Sequence, residues 1–390
     1  TGFSMEIAND NKQGLFGTVN GATIKDFSIA GSIKVLSASV GVGVVAWAEA
    51  STIQNIHSSL TITATDGAAS GHVGGVVGSL RESGSTGSTI DRCSFTGKME
   101  GGSNKIDCVG CVVGYMKDYS TISNCANYGT LTLTYSGKEG SIGGILGYSW
   151  FEKSYMSNCL NIGDVTSKDG TSEAERTGAI SGRFGGYTAH LTNCYWLEGS
   201  ASKGCGTQTI SSSVTATQLA SGEVAYLLNG EVSGGETWFQ TLGSDNSDNY
   251  PYPYGTDKVY KNGTFCPGGG AVGGFAYSNT NAAVEVNHKY TDGLCDYCGN
   301  PDETYLTVNA EGYYEIATPA NLKWFATMVN KGSNTINGKL TANIPLSDKW
   351  TTPIGNDSKK YSGTFDGQGH AITGFSMEIA NDNKQGLFGT

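Results

Sequence analysis

The chain is poor in proline, in charged residues and in long apolar runs. Only 7 of its 390 residues are proline and 15% are charged, which is not the composition of a collagen or of a highly charged disordered chain. No apolar run approaches the ~20 residues that span a membrane. The net charge of -11 argues against nucleic acid and anionic membranes as partners, because both favour clustered Lys and Arg.

Glycine is abundant instead, with 58 residues, about twice the usual share of ~7%. Ser, Thr, Asn and Tyr supply much of the polar character. This composition is typical of many short strands joined by tight turns. It predicts an all-β fold rather than a helical bundle.

The two ends of the chain are identical: TGFSMEIANDNKQGLFGT occupies residues 1–18 and again residues 373–390. Convergent packing would keep the apolar pattern but let surface residues such as Asn9 and Lys12 drift, so the match indicates a duplication. We expect one full repeat of a longer tandem array, followed by the start of the next repeat. An engineered duplication is the alternative. No secretion-signal pattern is present, which says nothing about export if the chain begins inside a repeat.

A shorter repeat recurs inside the chain. Each copy has a Gly-flanked apolar pair, a loop and then a Thr-Ile-like pair, as in CVVGYMKDYSTISNCAN. One slot of this phrase is filled in turn by Phe27, Ile56, Cys93, Cys125, Cys159 and Cys194. Successive slots lie about 29 to 37 residues apart, the spacing of stacked supersecondary units.

These features predict a parallel, right-handed β-solenoid of about eight coils, with short capping helices and an irregular Gly/Tyr/Cys connector. Apolar and polar residues alternate over short stretches, as in strands. Successive coils would stack at ~4.8 Å through backbone hydrogen bonds. A β-propeller is the rival array, but its blades need ~40–50 residues and the WD-type signature is missing.

Stacked coils place equivalent side chains in ladders, and two ladders are predicted. The inward cysteine ladder comprises Cys93, Cys125, Cys159 and Cys194. The asparagine ladder, expected to bridge coils through side-chain amides, comprises Asn55, Asn124, Asn158 and Asn193. The cysteines are expected to pack as small apolar residues, because parallel side chains on adjacent coils give poor disulfide torsions.

The natural order of the array implies three segments. Residues 1–230 are predicted to be the body and C-terminal cap of one solenoid, and residues 231–302 a connector with a Cys/His cluster. Residues 303–390 would be the cap helix and opening coils of the next solenoid. The helices are expected at 215–230 and at 318–332, where Thr318 is the N-cap, Pro319 the first helical residue and Gly332 the end.

The phrases YSGTFDGQGHAITGF, QGLFGTVNGATIKDFSIAGSI and GGILG…SNCLNIGDV resemble the GLUG-motif repeats of bacterial cell-surface proteins. The resemblance covers most of the solenoid and implies a secreted, surface-displayed β-solenoid used as a stalk or adhesive module. It carries over no catalytic residue. Two departures are Cys111, where a coil glycine is usual, and Cys205, where an apolar residue is expected.

The connector contains a candidate metal site. Cys295 and Cys298 in CDYCGN have the spacing of a zinc knuckle, with His288 and Cys266 upstream. Three thiolates and an imidazole would complete a closed tetrahedral site, and a small Gly-rich module needs such a staple. Disulfides are the alternative in an oxidising exterior.

Enzymatic and sugar-binding functions are the alternatives to a structural one. Sugar cleavage needs paired carboxylates or a basic residue beside calcium, whereas Asp366 and His370 in TFDGQGH indicate a tight turn. His57, His72 and His190 are isolated. A tyrosine-rich stretch would form either a sugar-stacking surface or a stiff linker and contains Tyr250, Tyr252, Tyr254 and Tyr260.

The sequence therefore predicts a structural, non-enzymatic repeat unit of a large extracellular fibre, filament or stalk-like adhesin on a bacterial surface. Its partners would be neighbouring copies of the same repeat end to end. Cell-surface glycans or matrix are further candidate partners. A polysaccharide-binding adhesin module and, less favoured, a β-helix lyase or glycosidase are the alternatives.

Overall fold

The computed structural model is all-β with few helices, and its parallel sheets wind into a β-solenoid of about ten turns. It describes residues 2–8, 12–36, 41–65, 71–103, 107–135, 140–149, 153–167, 176–185, 190–207, 212–243, 245–267, 270–378 and 386–389. The predicted parallel solenoid is confirmed. The predicted count of eight coils was slightly low.

The chain forms two compact units, Thr1–Asn262 with Tyr277–Asn281, and Gly263–Ala276 with Ala282–Thr390. Residues 231–302, predicted as a separate connector, contribute to both. The three-segment description of a longer array stays a prediction.

The first unit begins with long strands and continues with short ones. The long strands are β1 (Phe3–Ile7), β2 (Lys12–Asn20), β3 (Thr23–Val35), β4 (Gly41–Glu49) and β5 (Thr52–Ala64). The next turn is built from β6 (His72–Gly74), β7 (Val77–Arg81), β8 (Thr89–Asp91), β9 (Ser94–Phe95) and β10 (Lys98–Ser103).

Each later turn repeats this order of strands. The following turn is β11 (Cys108–Gly110), β12 (Val113–Met116), β13 (Thr121–Ser123), β14 (Ala126–Asn127) and β15 (Thr130–Tyr135). The next is β16 (Ser141–Gly143), β17 (Leu146–Ser149), β18 (Tyr155–Ser157), β19 (Leu160–Asn161) and β20 (Val165–Ser167). The remaining strands are β21 (Thr177–Gly178), β22 (Ser181–Phe184), β23 (Leu191–Thr192), β24 (Tyr195–Leu197) and β25 (Ser212–Val214).

Successive turns pair in parallel and in register. Val113 of β12 lies opposite Val77 of the preceding turn and Leu146 of the following one. The interior is a continuous apolar column in which valine, isoleucine, leucine and cysteine side chains are buried. Glycine is required where the chain passes close to that column: a Cβ on Gly75 would lie 2.3 Å from the Phe95 ring and 2.2 Å from the Cys111 carbonyl oxygen.

The helical segment predicted at 215–230 is two short helices, α1 (Ala216–Ser221) and α2 (Glu223–Leu228). Thr215 and Gln218 form a capping box, and Gly222 separates the helices with a φ of +90°. The expectation of one continuous helix was wrong, because a left-handed residue interrupts the helical hydrogen bonds. The helices join a second apolar cluster with Ala126 and Leu160.

The second unit contains the remaining strands and the longest helix. The strands are β26 (Tyr260–Cys266), β27 (Gly270–Ser278), β28 (Val284–Glu285), β29 (Tyr290–Thr291), β30 (Leu294–Cys295), β31 (Tyr313–Ile316), β32 (Asn337–Leu340), β33 (Ile344–Pro345), β34 (Phe365–Asp366) and β35 (Ile372–Thr373). Strands β31, β32 and β34 pair in parallel, as do β33 and β35.

Helix α3 (Pro319–Lys331) has the predicted ends. The Thr318 side chain accepts a hydrogen bond from the backbone N–H of Asn321, and Gly332 ends the helix. Its apolar face is buried in the core of the second unit. None of the helices among the described residues combines the length and hydrophobicity needed to cross a bilayer.

Candidate metal centre

The four residues predicted as metal ligands come together in the second unit. The Sγ atoms of Cys266, Cys295 and Cys298 and a ring nitrogen of His288 all lie within 4.8 Å of one another. Cys266 and Cys295 are buried, whereas His288 and Cys298 are half-buried. The distance from Cys298 Sγ to His288 Nδ1 is 3.5 Å.

Two local structures position the ligands. Strands β29 and β30 form an antiparallel hairpin whose two-residue turn is Asp292 and Gly293, both with positive φ. An Asp-Gly pair is a preferred sequence for such a turn. Immediately after the hairpin, the N–H of Gly299 donates to the Cys295 carbonyl oxygen at 2.9 Å. The hairpin and this tight turn place Cys295 and Cys298 beside each other.

The surroundings of Cys295 favour a thiolate. Burial alone would raise the pKa of this thiol, but backbone N–H groups of Cys298 and Tyr297 donate toward the sulfur. Together with hydrogen bonds from His288 and the Cys298 thiol they lower the pKa of Cys295 to about 6. In contrast, burial and the neighbouring sulfurs raise the pKa of Cys266 to about 11. Three such sulfurs can ionise together only if a cation balances their charge.

The donor set fits a tetrahedral metal ion. Metal–sulfur bonds of ~2.3 Å place tetrahedral ligands about 3.8 Å apart, and a slight closing of this cluster reaches that spacing. All ten cysteines lie in the described part of the chain, and none of them is in a disulfide. The ligands come from the end of β26, the segment after β28 and the β30 turn, so an ion would join three chain segments.

The centre is anchored on helix α3. The indole Nε1–H of Trp324 donates to the Asp302 carbonyl oxygen at 2.8 Å. Leu294 and Tyr305 pack against the same apolar cluster as Trp324. A Cβ on Gly293 would lie 2.3 Å from the Tyr305 ring, so the hairpin turn needs glycine for both space and φ.

The predicted cysteine ladder lies inside the first unit. Cys93, Cys125, Cys159 and Cys194 are buried on successive turns. Each thiol donates to the carbonyl oxygen two residues earlier, as Cys125 does to Ser123 at 3.1 Å. Burial raises the pKa of Cys125 and Cys159 well above the usual value, so these are unreactive thiols. Cys111 and Cys205, the two departures from the expected pattern, are buried in the same core.

The predicted asparagine ladder occupies a corner of the solenoid where the backbone is left-handed. The φ angles are +51° at Asn55, +51° at Asn124, +53° at Asn158 and +49° at Asn193. Asparagine tolerates this conformation better than most residues. One expected bridge between coils is present, from Asn193 Nδ2 to Asn158 Oδ1 at 3.2 Å, but Asn124 donates to Asp91 instead.

A second set of asparagines escaped the sequence analysis. Asn127 and Asn161 are fully buried, and Asn127 Nδ2 donates to Asn161 Oδ1 at 2.7 Å. Asn161 Nδ2 in turn donates to Gly163 O at 2.9 Å and to Ser200 Oγ at 3.2 Å. The spacing Asn-Cys-x-Asn-x-Gly, shared by both coils, is the signal that could have identified them.

No protein-family model and no curated protein matches the chain. Among solved structures, it is similar to a Bacteroides ovatus protein provisionally named an immunoglobulin A1 protease. The identity is 16% and the TM-score is 0.38, covering 64% of this chain and 86% of that chain. A likeness this distant carries no argument about function.

Proposed function

We propose that the chain is a structural, non-enzymatic repeat unit of a large extracellular tandem-repeat fibre or stalk-like adhesin on a bacterial surface. One observation supports the proposal: the described parts of the identical segments 1–18 and 373–390 pair with opposite neighbours. In the first copy, β2 pairs with β4 of the following turn. In the second copy, Thr373 pairs with Pro345 of β33 and Phe388 pairs with Ile354, both in the preceding turn.

One glycine of the segment is needed only in the first copy. A Cβ on Gly14 would lie 2.1 Å from the Gly43 carbonyl oxygen of the following turn. At the equivalent Gly386, the nearest atom is the Phe388 carbonyl oxygen at 3.2 Å. The following turn therefore demands glycine at this position, and the preceding turn does not.

Another glycine shows the opposite dependence. A Cβ on Gly389 would lie 2.2 Å from the Gly355 carbonyl oxygen of the preceding turn. At the equivalent Gly17, the nearest atom is the Lys12 carbonyl oxygen at 3.3 Å. In each copy, one glycine is not required by the neighbouring turn that is present, whereas the equivalent glycine of the other copy is required. This is expected if one segment normally lies between both neighbours.

The aromatic contacts of the segment divide in the same way. Phe16 packs on Phe27 of the following strand, with ring centroids 6.4 Å apart. The equivalent Phe388 packs on Tyr361 and Phe365, with centroids 6.0 and 5.2 Å apart. In a tandem array a single phenylalanine would make both sets of contacts. The second unit of one repeat and the first unit of the next would then share one solenoid.

The polar constellations of the first unit favour a structural role over catalysis. His57 Nδ1 lies 2.8 Å from Ser94 Oγ, and His57 Nε2 lies 2.9 Å from Asn55 Oδ1, which resembles a nucleophile, base and orienting group. However, Ser94 is fully buried and the His57 ring packs against Tyr254 at 4.2 Å. A substrate could not reach this hydroxyl.

The Asp366 carboxylate, the candidate for sugar cleavage, also has a structural role. Asp366 Oδ1 accepts the backbone N–H of Gln368 at 2.9 Å, in a turn closed by a hydrogen bond from His370 to Gly367. Gln368 and Gly369 both have positive φ. The TFDGQGH phrase therefore has the tight-turn geometry that its Asp and Gly residues suggest, and this supports a non-enzymatic role.

The tyrosine-rich stretch supports the structural reading over sugar binding. The Tyr128 hydroxyl donates to the Pro251 carbonyl oxygen at 2.7 Å, and the Tyr128 ring stacks on Tyr250 at 5.1 Å. Tyr252 packs on the same ring at 5.2 Å. Because these rings cover one another, they are poorly placed to stack on a sugar.

Zinc is the ion that we assign to the metal centre. Three cysteines and one histidine are a common ligand set of closed structural zinc sites, and soft thiolates disfavour calcium and magnesium. The ion would staple a glycine-rich segment that has little core of its own. Its role in the fibre would be to hold the segment after β26 against helix α3.

The array is tested with a permuted chain in which residues 303–372 are followed directly by residues 1–302. The duplicated segment then occurs once, between both of its neighbours. We expect a higher unfolding temperature than that of the 390-residue chain, because no segment edge is left open. In native assemblies, imaging should reveal a rod whose axial repeat contains 372 residues, the offset between the two copies. A permuted chain that is less stable than the original would refute the proposal.

The zinc assignment is tested by metal analysis of the chain purified under reducing conditions. We expect about one zinc per chain, and loss of the metal in Cys266→Ser and Cys298→Ser. Cys108→Ser, which changes a buried cysteine of the first unit, is the matched control and should keep the metal. A disulfide between Cys295 and Cys298 in metal-free protein would refute the assignment.

A further inference from the structure

The three sulfurs of the metal centre differ in their access to solvent. Cys266 and Cys295 are buried, whereas Cys298 is half-buried. The three Sγ atoms all lie within 4.8 Å of one another, so Cys298 can reach a neighbouring sulfur after a small movement. Cysteines that oxidants modify reversibly are typically accessible to solvent and lie beside a second cysteine. Cys298 has both properties.

We propose that Cys298 is an oxidation site, and that peroxides release the metal ion by joining Cys298 to Cys295 in a disulfide. The inference rests on the zinc centre of the proposed function and adds the regulation of that centre by oxidants. In the reduced state, the ion would hold its four ligands together. In the oxidised state, the disulfide would take two of those ligands away.

The reaction transfers two electrons from the sulfurs to the peroxide. Cys298 Sγ attacks one peroxide oxygen, so that an S–O bond forms, the O–O bond breaks and hydroxide leaves. Cys295 Sγ then attacks the Cys298 sulfur, so that the S–S bond forms, the S–O bond breaks and a second hydroxide leaves. Two protons from solvent convert the hydroxides to water. The remaining ligands, Cys266 and His288, are too few for a closed zinc site.

The local geometry favours Cys295 over Cys266 as the partner of Cys298. Cys295 and Cys298 lie in one tight turn, in which the Gly299 N–H donates to the Cys295 carbonyl oxygen at 2.9 Å. Cys266 belongs to another segment, the end of strand β26. The two sulfurs must approach to ~2.05 Å to form the bond. A cavity of about 500 Å³ beside Cys295 and Gly299 leaves the turn room for this movement.

The disulfide does not replace the link that the metal ion makes. The ion would join Cys266 to the turn after β30, whereas a bond between Cys295 and Cys298 stays within that turn. Cys298 Sγ and Asn300 Nδ2 donate to the Pro267 carbonyl oxygen at 4.0 and 3.4 Å, and hydrogen bonds this long are weak. Oxidation would therefore free the end of β26 from the turn, and reduction in the presence of zinc would restore the link.

Peroxide titration of the zinc-loaded, full-length chain tests the proposal. Released zinc is measured with a chromogenic chelator, and the disulfide is mapped by mass spectrometry. We expect about one zinc to leave per disulfide formed, faster hydrogen exchange at the end of β26, and recovery after a dithiol and zinc are added. A disulfide that contains Cys266, or zinc that stays bound at peroxide concentrations that oxidise Cys298, would overturn the inference.

Two histidine variants separate the roles of the sulfurs. Cys298→His and Cys266→His each leave two cysteines and two histidines, which is also a common zinc ligand set. We expect zinc release at least about tenfold slower in Cys298→His than in the wild-type chain, because the accessible sulfur is gone. Cys266→His keeps Cys295 and Cys298 and should release zinc at nearly the wild-type rate. Equal rates for the two variants would overturn the inference.

The oxidation site and the zinc assignment fail in different measurements. A reduced chain that binds no zinc refutes the zinc assignment, and the inference with it, before any oxidant is added. A chain that binds zinc and keeps it in peroxide overturns the oxidation site alone. If a histidine variant does not bind zinc, the disulfide map of the wild-type chain decides.

Discussion

The buried asparagine ladder provides the sharpest test of how the solenoid is held together. We consider Asn161→Ala. This side chain is fully buried and takes part in three hydrogen bonds, with Gly163, Ser200 and Asn127. Its Oδ1 would lie 2.2 Å from a Cβ on Gly144, so the neighbouring turn fits closely over the amide. Alanine would remove all three hydrogen bonds and leave their partners without replacement.

The expected loss follows from these contacts. Each buried hydrogen bond contributes about 1 kcal/mol, and an unsatisfied buried partner costs about 1–3 kcal/mol. We therefore expect Asn161→Ala to lower the free energy of unfolding by at least about 3 kcal/mol. Asn158→Gly, in the same turn, is the matched control. Asn158 has a φ of +53°, which glycine adopts freely, and glycine removes one exposed hydrogen bond, the one accepted from Asn193, so the replacement should cost less than about 1 kcal/mol.

The assay is urea unfolding followed by tryptophan fluorescence, combined with hydrogen exchange of the amides in β14, β19 and β24. Exchange is needed because a chain of two compact units is not expected to unfold in one step. Asn161→Ala should accelerate exchange in these strands and leave helix α3 unchanged. If both variants shift the first transition equally, the buried amide ladder does not stabilise the solenoid and the reasoning is refuted.

Two further predictions concern the same unit. Burial, with a smaller contribution from Arg81, lowers the pKa of His72 to about 3, so the unfolded chain binds a proton below pH ~6.5 that the folded chain does not. The free energy of unfolding should therefore fall as the pH drops from ~6.5 toward ~3, by up to about 1.4 kcal/mol per pH unit. His72→Phe can still stack on Tyr115 and should remove this part of the pH dependence. Urea titrations at several pH values measure the difference. Gly75→Ala should lower the free energy of unfolding by about 3 kcal/mol or more, because its Cβ would clash with the Phe95 ring. Gly84 has a φ of +64° and open space around it, so Gly84→Ala should lower it by about 1–2 kcal/mol. Similar shifts in unfolding temperature for the two variants would contradict this account.

The features that the sequence predicts well are those that repeat. The alternating residues of each coil and the slot occupied by Cys93, Cys125, Cys159 and Cys194 follow the period of the solenoid, so their neighbours are known once the period is known. Helix α3 was also predictable, because Thr318, Pro319 and Gly332 are local signals that act independently of the rest of the fold. The four candidate metal ligands were predicted from the spacing of Cys and His residues, and the structure brings them together.

The features that escaped prediction depend on contacts that have no period. Gly222 divides the helical segment because its φ is +90°, and a Cβ there would meet Leu242 at 2.6 Å and Tyr277 at 3.0 Å. Nothing in the local sequence reveals those neighbours. The packing of Tyr250 on Tyr128 joins residues far apart in the chain, and a tyrosine-rich stretch has the same composition whether it is covered or exposed.

The asparagines show why periodicity alone does not reveal the physical role of a repeated residue. Asn158 and Asn161 recur in the same phrase, but they have different roles. Asn158 lies at a corner with left-handed backbone, whereas Asn161 is buried and its side-chain amide is hydrogen-bonded. The corner position accepts other residues, since Arg92 and Asp26 have the same backbone conformation. The buried position does not repeat in every coil either, because Phe95 replaces it one turn before Asn127. There the space is filled by an aromatic ring rather than by hydrogen bonds.

The two copies of the end segment also show that the role of a repeated residue depends on the turns beside it. Among the described residues, a Cβ on Gly17 or Gly386 would approach no atom of a neighbouring turn, and its nearest contact would be 3.3 or 3.2 Å within its own segment. The contact that requires glycine, at 2.2 or 2.1 Å, is found at the identical residue beside the other neighbour. Because both copies obey constraints that neither position imposes completely, the segment fits a place between two turns better than a place at either end. The strongest argument for a longer solenoid is therefore a set of residues that the present neighbours do not require.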